Sequence, residues 1–197
     1  MNYLAHACLS FDRPALLVGN MISDFVRGKK KLDYPLSIQQ GISLHRAIDS
    51  FTDEHAATRE MKQVFKPVYG LYSGPFADIV YDHFLANDSE QFREQSLYDF
   101  SLSVYNTLET HLAICPADFQ ELFPYMKMHN WLYNYRLREG MARSFHGLVR
   151  RAKYMDDADS AFVLFEQHYE LLQECYRDFF PEVTKFAKQF INEAGKE

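Results

Sequence analysis

Cysteine is scarce in this 197-residue chain. Cys8, Cys115 and Cys175 are far apart and odd in number, so they make neither a disulfide framework nor a thiolate metal site, and they suit a reducing cytoplasm. No apolar run approaches the ~18 residues of a membrane span. The opening segment also lacks the basic and apolar regions of a secretory leader. Positive charge is in deficit: 21 Lys and Arg against 27 Asp and Glu give a net charge of −6, which argues against a general nucleic-acid binder. Strand-type alternation is missing, as are repeats and low-complexity tracts.

What is abundant is the aromatic side chain: 17 Phe and 13 Tyr, but one Trp. Large rings fill helix–helix interfaces, and tyrosine adds a polar tip at a rim. Helical period runs through the chain. Pro14 opens one helix and Gly28 closes it after Arg27, while a long helix is expected from about Ser37 to Phe65, before Pro67. Residues 67–75 read as a loop, and a helix follows from Phe76 to about Ala86. Further helices are expected at 95–113, 117–133, 135–153 and 158–179, with Pro181 interrupting the last before a final helix to Ala194. The expectation is one all-α domain over residues 1–197, a multi-helix bundle.

Ionisable residues recur at helical spacing inside apolar segments. His45, Asp49 and Asp53 make an i, i+4, i+8 line beside Leu44 and Ile48. Two acids in one line repel unless a cation lies nearby. Asp78 and Asp82 share a face of a second apolar helix, with His83 adjacent, and Asp is a poor residue for a helix interior. Asp24 follows Asn20 by four residues among Leu17, Val18, Met21 and Ile22, where an unpaired charge would be costly. His6 follows Asn2 by the same interval. A mixed His/Asp set favours a hard or borderline divalent ion such as Mn²⁺, Mg²⁺ or Fe²⁺. Arg27 and Arg46 neighbour these acids and suit a phosphate oxygen. Lys29, Lys30 and Lys31 extend Arg27 into a patch that reads either as a solvated loop or as a docking site for an acidic partner. A second basic cluster, Arg136, Arg138, Arg143, Arg150, Arg151 and Lys153, is expected to salt-bridge to acidic helices of the same chain.

Four blocks of these residues, beginning at Met1, Gly19, Gly41 and Asp78, together resemble the acyl carrier protein phosphodiesterases. The resemblance covers the first 90 or so residues closely and the rest through length and the region Trp131 to Tyr135. It implies a helical core akin to that of the His-Asp (HD) metal phosphohydrolases and dependence on a divalent metal, usually Mn²⁺. It also implies hydrolysis of the phosphodiester joining 4′-phosphopantetheine to a serine of acyl carrier protein, an acidic partner for residues 27–31. Asp24, His45, Asp49, Asp82 and His83 carry over as metal-site positions, with His6 and Asp78 beside them. Protonation of the leaving serine is expected from Asp53 or His83, and charge stabilisation from Arg27 or Arg46. Two other readings stay open: a metal phosphohydrolase of nucleotides or other small phosphodiesters, and a non-catalytic helical module that binds an acidic protein.

Overall fold

The computed structural model describes residues 1–93, 95–152 and 155–194, and among them there are helices, turns and loops but no strand. The α-helices are α1 Tyr3–Cys8, α2 Pro14–Ile22, α3 Leu36–Glu54, α4 Ala56–Tyr69, α5 Ser73–Ala86, α6 Leu97–Thr110, α7 Ala117–Met128, α8 Trp131–Asn134, α9 Arg138–Arg151, α10 Asp159–Gln167 and α11 Tyr169–Ala194. Their buried side chains form one continuous cluster, and ten of the twelve largest fully buried ones are aromatic.

Helix α5 is the centre of the bundle. It is apolar on nearly every face, from Phe76 to Ala86, and such a helix is stable only when surrounded. Helices α1, α4, α9 and α11 surround it. The other organising contact is the crossing of α2 and α3. A Cβ added at Gly19 would lie 2.1 Å from the carbonyl oxygen of Ile38, and one at Gly41 would lie 2.4 Å from that of Leu16. The two backbones therefore touch, which only glycine at both positions allows.

Several expected boundaries differ. The helix expected from Ser37 to Phe65 is two helices, because His55 is extended and its Nδ1 accepts from the Ala57 amide to cap α4. Pro67 and Pro181 lie inside α4 and α11 instead of ending them. Both are exposed, so the carbonyls they leave without an amide partner can turn to water. Asn130, in the left-handed region at φ 41°, separates α7 from α8. His168 separates α10 from α11. Among the described residues, no helix is long and apolar enough to cross a membrane.

Candidate metal centre

Helix α1 has six residues, too few to persist alone, and its first turn is held from outside. Asp82 on α5 accepts hydrogen bonds from the amides of Leu4, at 2.7 Å, and Ala5, at 3.1 Å. The Met1 ammonium lies 3.0 Å from Asp78 and 3.5 Å from Asp49. Burial works against that charge, yet Asp78 and Asp49 outweigh it and raise the group to about 10. The two acids embedded in an apolar helix thus serve the start of α1, and they fix where His6 points.

His6 and His45 lie ring on ring, 3.9 Å apart and 14° from parallel. Asn20 orients both. Its backbone carbonyl accepts from His45 Nδ1 at 2.8 Å, and its side-chain oxygen accepts from His6 Nδ1 at the same distance. The amide nitrogen of Asn20 donates to the His6 carbonyl and to Ser10, which fixes the side chain's orientation. Since each Nδ1 meets an acceptor, each carries the ring proton, and each Nε2 is left facing Asp49. The glycine crossing makes this possible: Gly19 precedes Asn20, and Gly41 stands one turn before His45.

The convergence is close. His6 Nε2 lies 3.2 Å and His45 Nε2 3.1 Å from the two oxygens of Asp49. His45 Nε2 is also 3.1 Å from Asp24. Donor atoms of His6, His45 and Asp49 all fall within 4.8 Å of one another. His6 Nε2 is buried and makes no hydrogen bond, its approach to Asp49 being too poorly aligned to count as one. Burial and the neighbouring His45 lower the His6 pKa to about 4, so this nitrogen keeps its lone pair. For His45, burial opposes the charge, but hydrogen bonds to Asp24 and Asp49 prevail and raise it to about 9. Burial also resists the charge of Asp49, which the two imidazoles nevertheless hold well below the usual carboxylate range; Asp24 is lowered through its bond to His45. Two carboxylates about one imidazole nitrogen require positive charge there, supplied by a proton or by a cation. Two imidazole nitrogens and two carboxylates fit a hard or borderline divalent ion.

Not every expected site residue joins this group. Asp24 does, but from a 3₁₀ turn (Ser23–Phe25) after α2 and not from the helix itself. Arg46 donates to the carbonyl of Val26 at 2.8 Å, which pins that turn. Asp82 is fully buried and committed to the α1 amides, and burial pushes its carboxyl up to about 7. His83 donates from Nδ1 to the carbonyl of Tyr135 and meets the Tyr169 hydroxyl at Nε2, which leaves no nitrogen for an ion; burial lowers its pKa. Asp53 is exposed and paired with Lys62 at 2.6 Å. Among the described residues, Asp78 reaches the cluster only through Met1, with which it pairs at 3.0 Å. Arg27, Lys29 and Lys30 are exposed, and Lys31 donates to Ser43. Arg138 pairs with Glu166 as expected of the second basic cluster. Arg143, Arg150 and Arg151 make no ion pair among the described residues, and Lys153 lies outside those residues.

Tyr3 had no signal beyond its place in the opening block. Its pKa is pushed up to about 12 by burial and by the charge of Asp24, with Arg151 pulling the other way, so its hydroxyl keeps its proton. Asp82→Ala should lower the melting temperature of metal-free protein by several degrees. Each buried amide left without a partner costs about 1–3 kcal/mol, and each kcal/mol is worth ~2–4 °C at this chain length. Thermal denaturation in chelator checks this, since a residue acting only as a metal ligand would leave that transition where it was.

The family model for acyl carrier protein phosphodiesterase matches residues 1–183, well past the blocks at the start of the chain. A protein of Yersinia pestis named acyl carrier protein phosphodiesterase is 32% identical over 189 residues, which cover 95% of this chain and 98% of the relative. A protein of the same name from Photorhabdus laumondii is 31% identical, with 95% and 96% covered. One from Klebsiella pneumoniae strain 342 is 30% identical, with 95% and 98% covered. No solved structure matches the chain. A match over most of the chain, together with relatives aligned nearly end to end, places this protein in the acyl carrier protein phosphodiesterase family of hydrolytic enzymes.

Proposed function

We propose that this enzyme hydrolyses the phosphodiester between 4′-phosphopantetheine and the serine of holo acyl carrier protein, giving apo carrier and free 4′-phosphopantetheine. In this reading His6, His45, Asp49 and Asp24 hold a divalent ion, for which Mn²⁺ is favoured over Mg²⁺ or Fe²⁺. The observation that carries it is the pair of pre-oriented imidazoles whose Nε2 atoms meet on Asp49. When bound, such an ion supplies Lewis acidity toward a phosphoryl oxygen and a lower pKa for water.

The chain's own residues then divide the remaining work. Asn20 holds both imidazoles in the tautomer that ligation needs. Arg46 fixes the Asp24 turn through Val26, and Arg27, exposed on the same stretch, is free to fork onto a non-bridging oxygen. The Tyr3 hydroxyl replaces Asp53 and His83 as donor toward the leaving oxygen, because Asp53 is tied to Lys62 and both nitrogens of His83 are engaged. Arg27, Lys29 and Lys30, with Lys31 beside them, offer an acidic carrier an exposed basic edge, and the three free thiols suit a cytoplasmic enzyme. Kinship with the His-Asp phosphohydrolases is part of the same reading, supported by the helical scaffold and the paired His and Asp donors.

A second reading, hydrolysis of a small phosphodiester, is favoured by an aromatic and basic cleft of about 870 Å³ lined in part by Tyr3, on the helix that carries His6. Incubation with holo carrier and Mn²⁺, followed by intact mass, separates the two. Loss of the phosphopantetheine mass, abolished by chelator, supports the first reading. An unchanged carrier, with an aryl phosphodiester cleaved in the same tube, replaces it with the second.

A further inference from the structure

The same cleft has a composition that the metal cluster does not require. Tyr3, Leu122 and Trp131 line it, opposite a face of α9 that carries Arg143, Gly147, Arg150 and Arg151. The wall at Asn2, Tyr3 and Ile79 is continuous in the chain with Met1 and Asp78, the groups that meet at Asp49. Cleft and cluster therefore draw on the same two helices, α1 through Tyr3 and His6 and α5 through Ile79 and Asp78. Arg151 lines the cleft together with Tyr3. Arg143 lies seven residues before Arg150, about 10 Å along the helix at ~1.5 Å per residue.

Two observations point to a ligand. First, Arg143, Arg150 and Arg151 are exposed and have no carboxylate partner among the described residues, in a protein whose net charge is −6. Second, Gly147 sits inside a helix without a steric reason. A glycine there costs about 1 kcal/mol against alanine, and nothing lies within 4 Å of where its Cβ would be. Gly140 differs, since its Cβ would strike the Asn134 carbonyl at 2.0 Å. Gly147 leaves an open floor between the arginines and the Trp131 side of the cleft.

We propose that this cleft binds the 4′-phosphopantetheine arm of the substrate, with the phosphate at the Tyr3 and Arg151 end and the pantetheine chain running over Gly147 past Trp131. The inference rests on the substrate reading given above. The arm suits the cleft in size, for ligand sites commonly span ~300–1,000 Å³. Its gem-dimethyl and methylene groups match Tyr3, Leu122 and Trp131. Its phosphate matches an arginine, and its amides have the Ser144 hydroxyl and the His129 ring within the same lining.

Trp131 is the one tryptophan of the chain, so its fluorescence reports the cleft alone. Free 4′-phosphopantetheine is titrated into full-length protein in chelator, so that no ion takes part. A saturable change in emission is expected, weakened about tenfold or more in Gly147→Leu and in Arg150→Ala, with metal uptake unchanged in both. Arg150 is exposed, so its variant tests the cleft even where Gly147→Leu fails to fold. Wild-type affinity in both variants would overturn the proposal, as would a response to AMP stronger than that to phosphopantetheine. Hydrolysis of holo carrier without any emission change would sink the cleft and leave the reaction standing. Saturable binding without hydrolysis would do the opposite.

Discussion

Asp49→Asn protein should fold, fail to retain a divalent ion, and lose about a thousandfold in turnover of holo carrier. Among the described residues, Asp49 is the one side chain that meets both imidazole Nε2 atoms, and the Met1 ammonium lies beside it. An amide in its place offers a neutral oxygen to one partner and a second donor to the other, so the ligand set loses a charge and gains a repulsion. The ion is asked for several kcal/mol of charge stabilisation, and ~1.4 kcal/mol is a factor of ten in rate, which sets the size of the loss. Folding should be largely spared, because the Asp49 side chain is 41% exposed and the Met1 ammonium keeps its nearer partner, Asp78, at 3.0 Å. Metal content after dialysis and single-turnover cleavage by intact mass give the answer. A variant that holds its ion and turns over within tenfold of the parent would remove Asp49 from the centre.

Gly19→Ala is expected to do more harm than a methyl group in a helix normally does. On propensity alone it would stabilise α2 by about 1 kcal/mol. The new Cβ, however, would stand 2.1 Å from the Ile38 carbonyl and 2.9 Å from the Gly41 Cα, both backbone atoms that cannot rotate away. The helices must separate, at ~3 kcal/mol or more for a core with no slack. The melting temperature should fall by roughly 6–12 °C at ~2–4 °C per kcal/mol. Separation also lengthens the bond between the Asn20 carbonyl and His45 Nδ1, so ion affinity should drop with stability, by about 10–100-fold. Calorimetry with and without ion checks both halves. A melt at or above the parental temperature would show that α2 and α3 do not cross as closely as described.

The helical class and the central place of Phe76 to Ala86 were legible, because an all-round apolar helix has nowhere to go but inside. The lines His45/Asp49 and Asn20/Asp24 were legible for the same periodic reason, and they do meet. Asp82 and His83 were misplaced because spacing reports which face a residue shares, not which partner it finds. Their partners lie far off in the chain: the Leu4 amide is 78 positions from Asp82 and the Tyr135 carbonyl 52 from His83. Asn20 showed only as an interval before Asp24, since its value comes from two contacts made only in the fold: its carbonyl meets His45 of α3 and its side chain meets His6 of α1. His55 and Asn130 break helices through a capping imidazole and a left-handed residue, and neither carries the glycine or proline that usually marks such a stop. The cleft stayed invisible, because its walls come from the two ends of the chain's middle and from its first residues.

The anchoring of α1 by α5 sets an order of events as the chain leaves the ribosome. Asp24 belongs to the turn after α2, and His45 and Asp49 to α3; these elements are close in sequence and can pair as soon as residue 54 is available. His6 is made before any of them, yet α1 has no lasting first turn until Asp82 arrives to receive its amides. The earliest synthesised of the proposed ligands is therefore the last to be installed. A nascent chain released before α5 should carry three of the four donors and hold an ion weakly, so that tight loading begins only after the central helix is in place.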